Sequence, residues 1–147
     1  MTSDEIISQF LKKNQRILHL GCGDQTLKTL TEAYEYTGVS IDDTLATFES
    51  LPNGFDYSVI GEVLEFAENP TEIIDHIRLL SKSTIVYEHK YDEDCVVNPA
   101  WKQPWKSVGL ENLLTQKFSY VNSIFLGYAT LHICEMPITT KLMDGEA

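Results

Sequence analysis

At 147 residues, 43% of them hydrophobic, the chain is long enough for one ordinary buried core. Its formal net charge of -11 repels phosphate backbones and anionic lipid, so neither nucleic acid nor a membrane surface is an expected partner. Cys22, Cys95 and Cys134 are far apart and form no Cys-x-x-Cys pair, which argues against a zinc site or a disulfide scaffold. The four histidines show no metal-ligand spacing, so no metal is expected. The start Met1-Thr2-Ser3-Asp4-Glu5 is acidic and unlike a secretory signal, and no apolar run approaches the ~20 residues that span a bilayer. A reducing, cytoplasmic setting and a single domain over residues 1–147, with its core at about 16–136, are the expectation.

Residues 4–13 read as a short amphipathic helix, with Ile6, Ile7, Phe10 and Leu11 at helical spacing and Ser3 as cap. Ile17 to Leu20 form a first strand that ends in Gly21-Cys22-Gly23. A helix over residues 27–34 follows, burying Leu27, Leu30, Ala33 and Tyr34. Residues 36–41 form a second strand, and 42–48 a short helical piece. Residues 51–54 are a turn, and Phe55 to Ile60 a third strand closed by Gly61-Glu62. Asn69-Pro70-Thr71-Glu72 opens the next helix with a cap, a first-turn proline and capping-box spacing. Ile73, Ile74, Ile77 and Leu80 give that helix its apolar face. Residues 83–88 are a fourth strand, 89–107 a long irregular loop, and 110–118 a helix. Two strands, 121–127 and 129–135, turn near Gly127 before a polar tail. The alternation predicts an α/β fold with a mostly parallel sheet, helices on both faces and an antiparallel C-terminal hairpin.

Within that frame the strand–glycine turn–helix unit at Gly21 is how open α/β sheets build a ligand site. The first glycine permits the turn, the second lets backbone approach the ligand, and the helix start offers unpaired N–H groups. The plain alternative is a tight turn with no ligand.

Leu18-His19-Leu20-Gly21-Cys22-Gly23-Asp24 resembles the first motif of class I S-adenosylmethionine-dependent methyltransferases. Thr37 to Asp42 is similar to the end of that family's second strand, and Phe55 to Phe66 with Asn69-Pro70 to its fourth-strand motif. Ile73 to Leu80 is similar to the helix after it. The resemblance implies a Rossmann-like sheet and S-adenosylmethionine as cofactor. It places Gly21, Cys22, Gly23, Asp24, Ser40, Ile41, Asp42, Gly61 and Glu62 around that cofactor. It also shows departures. His19 stands at a usually acidic position, Gln25 at a usual glycine, Phe66 at a frequent histidine and Ser40 at the ribose-binding acid. Asp42, two residues on along an extended chain, reaches the same side and substitutes for that acid. About fifteen residues join Ser40 to Phe55, so one edge strand is expected to be missing.

Glu62, Glu88 and His89 are the candidate acid–base groups, a histidine at a strand end being suited to neutral pH. Exposed strand-end or solvated loop residues are the plain alternative. Asp24 and Asp42 serve equally as helix caps. Leu51-Pro52 lines an adenine pocket or simply makes a turn. Trp101-Lys102-Gln103-Pro104-Trp105-Lys106 reads as a lid or recognition platform, or as a loop pinned by buried indoles. His19, His76 and His132 read as structural residues. The expected function is methyl transfer to a small-molecule or protein acceptor, with a homodimer expected from pairing at the second strand's exposed edge. The alternatives are a non-catalytic binding or interaction module and, more remotely, a dinucleotide-dependent oxidoreductase.

Overall fold

The computed structural model describes residues 2–21, 26–39, 50–61, 63–64, 69–89, 109–126 and 129–138. Among the described residues six strands form one sheet: β1 (Arg16–Leu20), β2 (Glu35–Val39), β3 (Phe55–Gly61), β4 (Ser81–His89), β5 (Phe118–Phe125) and β6 (Ala129–Pro137). Their order is β2-β1-β3-β4-β6-β5. The pairs among β1 to β4 are parallel, and β6 runs antiparallel to both β4 and β5. The expected parallel sheet with an antiparallel hairpin is therefore present, and β2 is its outermost strand on one side among the described residues.

Near-continuous apolar strands require a sheet covered on both faces. Ile17, Leu18, His19 and Leu20 are all buried, although alternate residues face opposite ways. On one face Ile17, Val59, Ile85, Tyr87 and Leu131 pack with Ile7 of α1 (Ser3–Ser8) and Leu27 of α2 (Thr26–Leu30). On the other, Leu18, Leu20, Ile60, Val86 and Cys134 meet Ile74 and Ile77 of α3 (Pro70–Ile77) and Leu110 and Leu114 of α4 (Gly109–Thr115). Three helix ends differ from expectation. α1 stops at Ser8 rather than reaching 13, and its cap is Thr2, which completes a capping box with Glu5. α2 ends at Leu30, leaving Tyr34 78% exposed in the connection to β2. α4 ends at Thr115, because Phe118 opens β5 and pairs with Pro137.

The amino ends of the strands are tied by Arg16. Its backbone N–H donates to Asp56 (2.8 Å), its Nε to Glu35 (2.7 Å) and its Nη1 to the Gly54 carbonyl (3.0 Å). The guanidinium also lies over the Phe55 ring, 5.0 Å from its centre. β2, β1 and β3 are thus fixed in register at one end by a single side chain.

α3 begins where Asn69 caps it. The Asn69 side-chain oxygen accepts from the Glu72 N–H (3.2 Å). The Glu72 carboxylate takes the Asn69 side-chain amide (3.0 Å), rather than the backbone N–H that a capping box uses. Asn69→Ala is expected to lower unfolding free energy by about 1 kcal/mol, read from urea midpoints, and an unchanged midpoint would contradict this role.

Candidate functional site at the carboxyl edge of the sheet

Open α/β sheets bind ligands beyond the carboxyl ends of their strands. Here that edge is formed by Gly21 after β1, Val39 of β2, Gly61 of β3 and the end of β4. Gly21 has φ +75°, the left-handed region that favours glycine, and donates its N–H to the Val39 carbonyl (2.8 Å). A Cβ at Gly21 would lie 2.5 Å from Val63 Cγ2 and 2.9 Å from the Gly61 carbonyl oxygen. Its lack of a side chain is therefore demanded by the turn and by the approach of β3. A Cβ on Gly61 would meet only ordinary contacts, His19 Nε2 at 3.7 Å and Ile7 Cδ1 at 3.8 Å.

His19, where the resemblance puts an acid, is 1% exposed. Its Nδ1 shares a hydrogen bond with the Tyr36 hydroxyl (2.5 Å), and the two rings meet edge to face. Burial drives its pKa down to about 4, so the imidazole is neutral at physiological pH. It serves the junction of β1 and β2 as an uncharged hydrogen-bonding group, in keeping with a structural role.

Glu88 departs from its reading as a solvated residue. It belongs to β4, one residue beyond the Gly61↔Tyr87 pair, and is 1% exposed. One of its oxygens faces Nε2 of His132 at 3.4 Å, and Nδ1 of His132 shares a 2.7 Å hydrogen bond with Ser123 Oγ. His132 is itself fully buried. Three adjacent strands thus contribute one polar row across the face covered by α3 and α4. Sequence reading missed the row because its members lie 44 and nine residues apart. The available signal was a polar residue adjoining an apolar run in each of two strands, Glu88 after Ile85-Val86-Tyr87 and His132 between Leu131 and Ile133. His89 also falls within β4 rather than opening a loop. Buried Cys134, on the same face, has its thiol pushed up to about 12 and stays protonated.

Cys22, Gly23, Asp24, Gln25, Ser40, Ile41, Asp42, Glu62 and Phe66 lie outside the described residues, as do the 42–48 helical piece, Cys95, the Trp101 to Lys106 segment and the polar tail from residue 139. Among the described residues no group of three or more His, Cys, Asp or Glu side chains is arranged to hold a metal ion, and no helix is long and apolar enough to cross a membrane.

No family model matches the chain, and no curated protein matches it. Solved structures do. An O-methyltransferase family protein from Burkholderia thailandensis aligns over 90% of this chain and 55% of its own, at 12% identity and TM-score 0.65. A SAM-dependent methyltransferase from Aquifex aeolicus aligns over 90% of this chain and 88% of its own, at 11% identity and TM-score 0.66. A phosphoethanolamine N-methyltransferase from Haemonchus contortus, in complex with phosphomonomethylethanolamine and S-adenosylhomocysteine, aligns over 90% and 52%, at 11% identity and TM-score 0.67. The chain thus spans about half the length of two of these and most of the third. It has the fold of class I S-adenosylmethionine-dependent methyltransferases.

Gly21→Ala is expected to cost more than about 2 kcal/mol from φ strain and overlap with Val63, whereas Gly61→Ala costs under about 1 kcal/mol. Equal costs by chemical denaturation would contradict the packing described. His19 gives a pH dependence. Its folded pKa lies below its ordinary value of 6.5, so its contribution is full above pH 6.5 and lost as pH falls toward 4. Between pH 7 and 5 this loss is about 2 kcal/mol, and His19→Gln is expected to remove that part of the urea-midpoint slope.

Proposed function

We propose that the protein transfers a methyl group from S-adenosylmethionine to a small-molecule or protein acceptor. The observation that carries this reading is the strand order β2-β1-β3-β4-β6-β5, with antiparallel β6 set between β4 and β5 and the Gly21 turn closing central β1. The described residues fit such a cofactor: Gly21 turns the chain across the edge where β1, β2 and β3 end. In this reading Gly21, Cys22, Gly23 and Asp24 border the methionine part. Ser40, Ile41 and Asp42 border the ribose, with the Asp42 carboxylate accepting from both hydroxyls. Gly61 and Glu62 close the site from β3. Glu62, Glu88 and His89 are the candidate groups that take up the proton the acceptor loses. The cofactor supplies an already activated methyl group, so the protein's task is to align the acceptor, exclude water and take up a proton.

A second reading, a methyltransferase-like module that binds without turnover, is favoured by one observation. Val63 and Gly61 account for Gly21 without any ligand. Gln25 and Ser40, which depart from the family pattern, agree with it.

Calorimetric titration with S-adenosylhomocysteine tests the cofactor site on which methyl transfer depends, and an acceptor screen then separates turnover from binding alone. Saturable one-to-one binding near 1 μM, ~-8 kcal/mol, is expected. Asp42→Ala is expected to weaken it about tenfold or more, since two charge-assisted hydrogen bonds are lost. The absence of both heat and a thermal shift at millimolar ligand would overturn methyl transfer and leave the interaction module.

A further inference from the structure

β5 is the outermost strand at the end of the sheet opposite β2, and among the described residues it pairs with β6 alone. Its other edge presents unpaired N–H and C=O groups, which sheets usually guard with lysine, proline or an inward-pointing charge. Phe118-Ser119-Tyr120-Val121-Asn122-Ser123-Ile124-Phe125 contains none of these. It is the one strand of the six described that lacks a charged residue: β1 has Arg16, β2 Glu35, β3 Asp56, β4 Lys82 and Glu88, and β6 Glu135. Its two exposed large side chains, Tyr120 at 53% and Phe125 at 56%, stand toward opposite ends. We infer that this edge is a self-association surface, on which a second copy of the chain lays its own β5 antiparallel to form a twofold dimer with one continuous sheet.

The charge pattern favours a second copy as the partner. At a net charge of -11 two copies repel in most orientations, and an uncharged strip is where they meet at least cost. An antiparallel strand edge is also its own complement, because a twofold axis sets each N–H against a C=O of the mate. The contact closes on itself and leaves no further edge of this kind for a third copy. β2, the other outermost described strand, suits such pairing less. It has five residues, opens with Glu35 and holds Gly38 in its interior.

The axis stands perpendicular to the sheet, so a residue meets a mate that points to the same face. Tyr120, Asn122 and Ile124 share the face of α1 and α2, against which Ile124 packs. Ser119, Val121, Ser123 and Phe125 share the face of α3 and α4, against which Val121 packs. Within the strand's own length, an axis through Asn122 is the register of this kind that covers both exposed aromatics. It sets Tyr120 against Ile124 of the second copy, an aromatic–β-branched pair. Phe125 then meets Ser119, Val121 meets Ser123, and Asn122 meets its own mate. β5 runs in the direction of β4, so the carboxyl edges of the two copies lie at opposite ends of the joined sheet. β4 and β6 separate the interface from the candidate site at the ends of β1 to β3, and the dimer does not depend on the methyl-transfer reading.

Sedimentation equilibrium of the full chain over micromolar to millimolar concentrations tests the surface. One strand a side is a small interface, so a reversible dimer with Kd on the order of 10–100 μM is expected, its mass approaching twice 16.7 kDa. Amide hydrogen exchange over the same range is expected to slow in β5 on association and to stay unchanged in β2. Asn122→Asp is nearly isosteric at an exposed position, yet it puts two carboxylates on the axis. It is expected to raise the Kd about fivefold or more, with part of the loss recovered by added salt. Asn112→Asp adds the same charge at an exposed position on α4 and is expected to leave the Kd within about twofold, since it lies off the interface. Tyr120→Lys, which sets a charge against Ile124 of the mate, is expected to give monomer throughout the range. Urea midpoints at the dilute end are expected to stay near the wild-type value in all three variants. A wild-type chain that remains monomeric at millimolar concentration overturns the inference. So does a dimer whose β5 amides exchange freely, or one left intact by both Asn122→Asp and Tyr120→Lys, because the interface then lies elsewhere. Growth beyond the dimer overturns the closed twofold arrangement.

Discussion

A strand walled on both faces has no solvent to satisfy its polar side chains, and this constraint governs the molecule. β1 is buried from Ile17 to Leu20, and β4 from Thr84 to Glu88. Several buried polar groups in and beside those strands are met from a neighbouring strand. His19 meets Tyr36, Ser58 meets Ser81 and Thr84 at 2.8 Å each, and Glu88 meets His132. The polar atoms therefore run across the sheet in rows, and open chemistry is displaced to the strand ends.

The two ends differ accordingly. At the amino end Arg16 joins β2, β1 and β3, and Lys82 adds a contact to Asp56 at 3.5 Å. At the carboxyl end the connection is a glycine turn held by one backbone hydrogen bond to Val39. A braced base beneath a turn built from backbone suits a site that must hold its ligand on a rigid scaffold. His19 fits the same division: where the fold's relatives by motif carry a charge, this chain places a neutral ring inside the frame.

Much of the frame was legible in the sequence because apolar runs bounded by glycine or proline report burial directly. The four parallel strands and the hairpin lie close to their expected places. The start of α3 at Asn69-Pro70 was legible, but the carboxyl ends of α1, α2 and α4 were not. Leu30, Ala33 and Tyr34 keep helical spacing, yet α2 stops because the chain must return to pair Glu35 with Arg16. Phe118 continues an amphipathic pattern and is claimed instead by β5, whose partner follows in the chain. Propensity is local and pairing is not. The carboxyl edge was legible through Gly21 and Gly61 but not through Glu88. A lone acid at a strand end reads as solvated until the strand that covers it is placed beside it.

β6 bridges β4 and β5 and is the last of the six strands along the chain. β1 to β4 can pair before it, but until residues 129–137 are available β4 presents a long, apolar, unpaired edge and β5 has no described partner strand. Assembly of the sheet therefore waits on residues 129–137, and contacts distant in sequence close last. A chain lacking β6 would carry that edge as an aggregation template, so one late strand protects the rest of the sheet from pairing with other molecules.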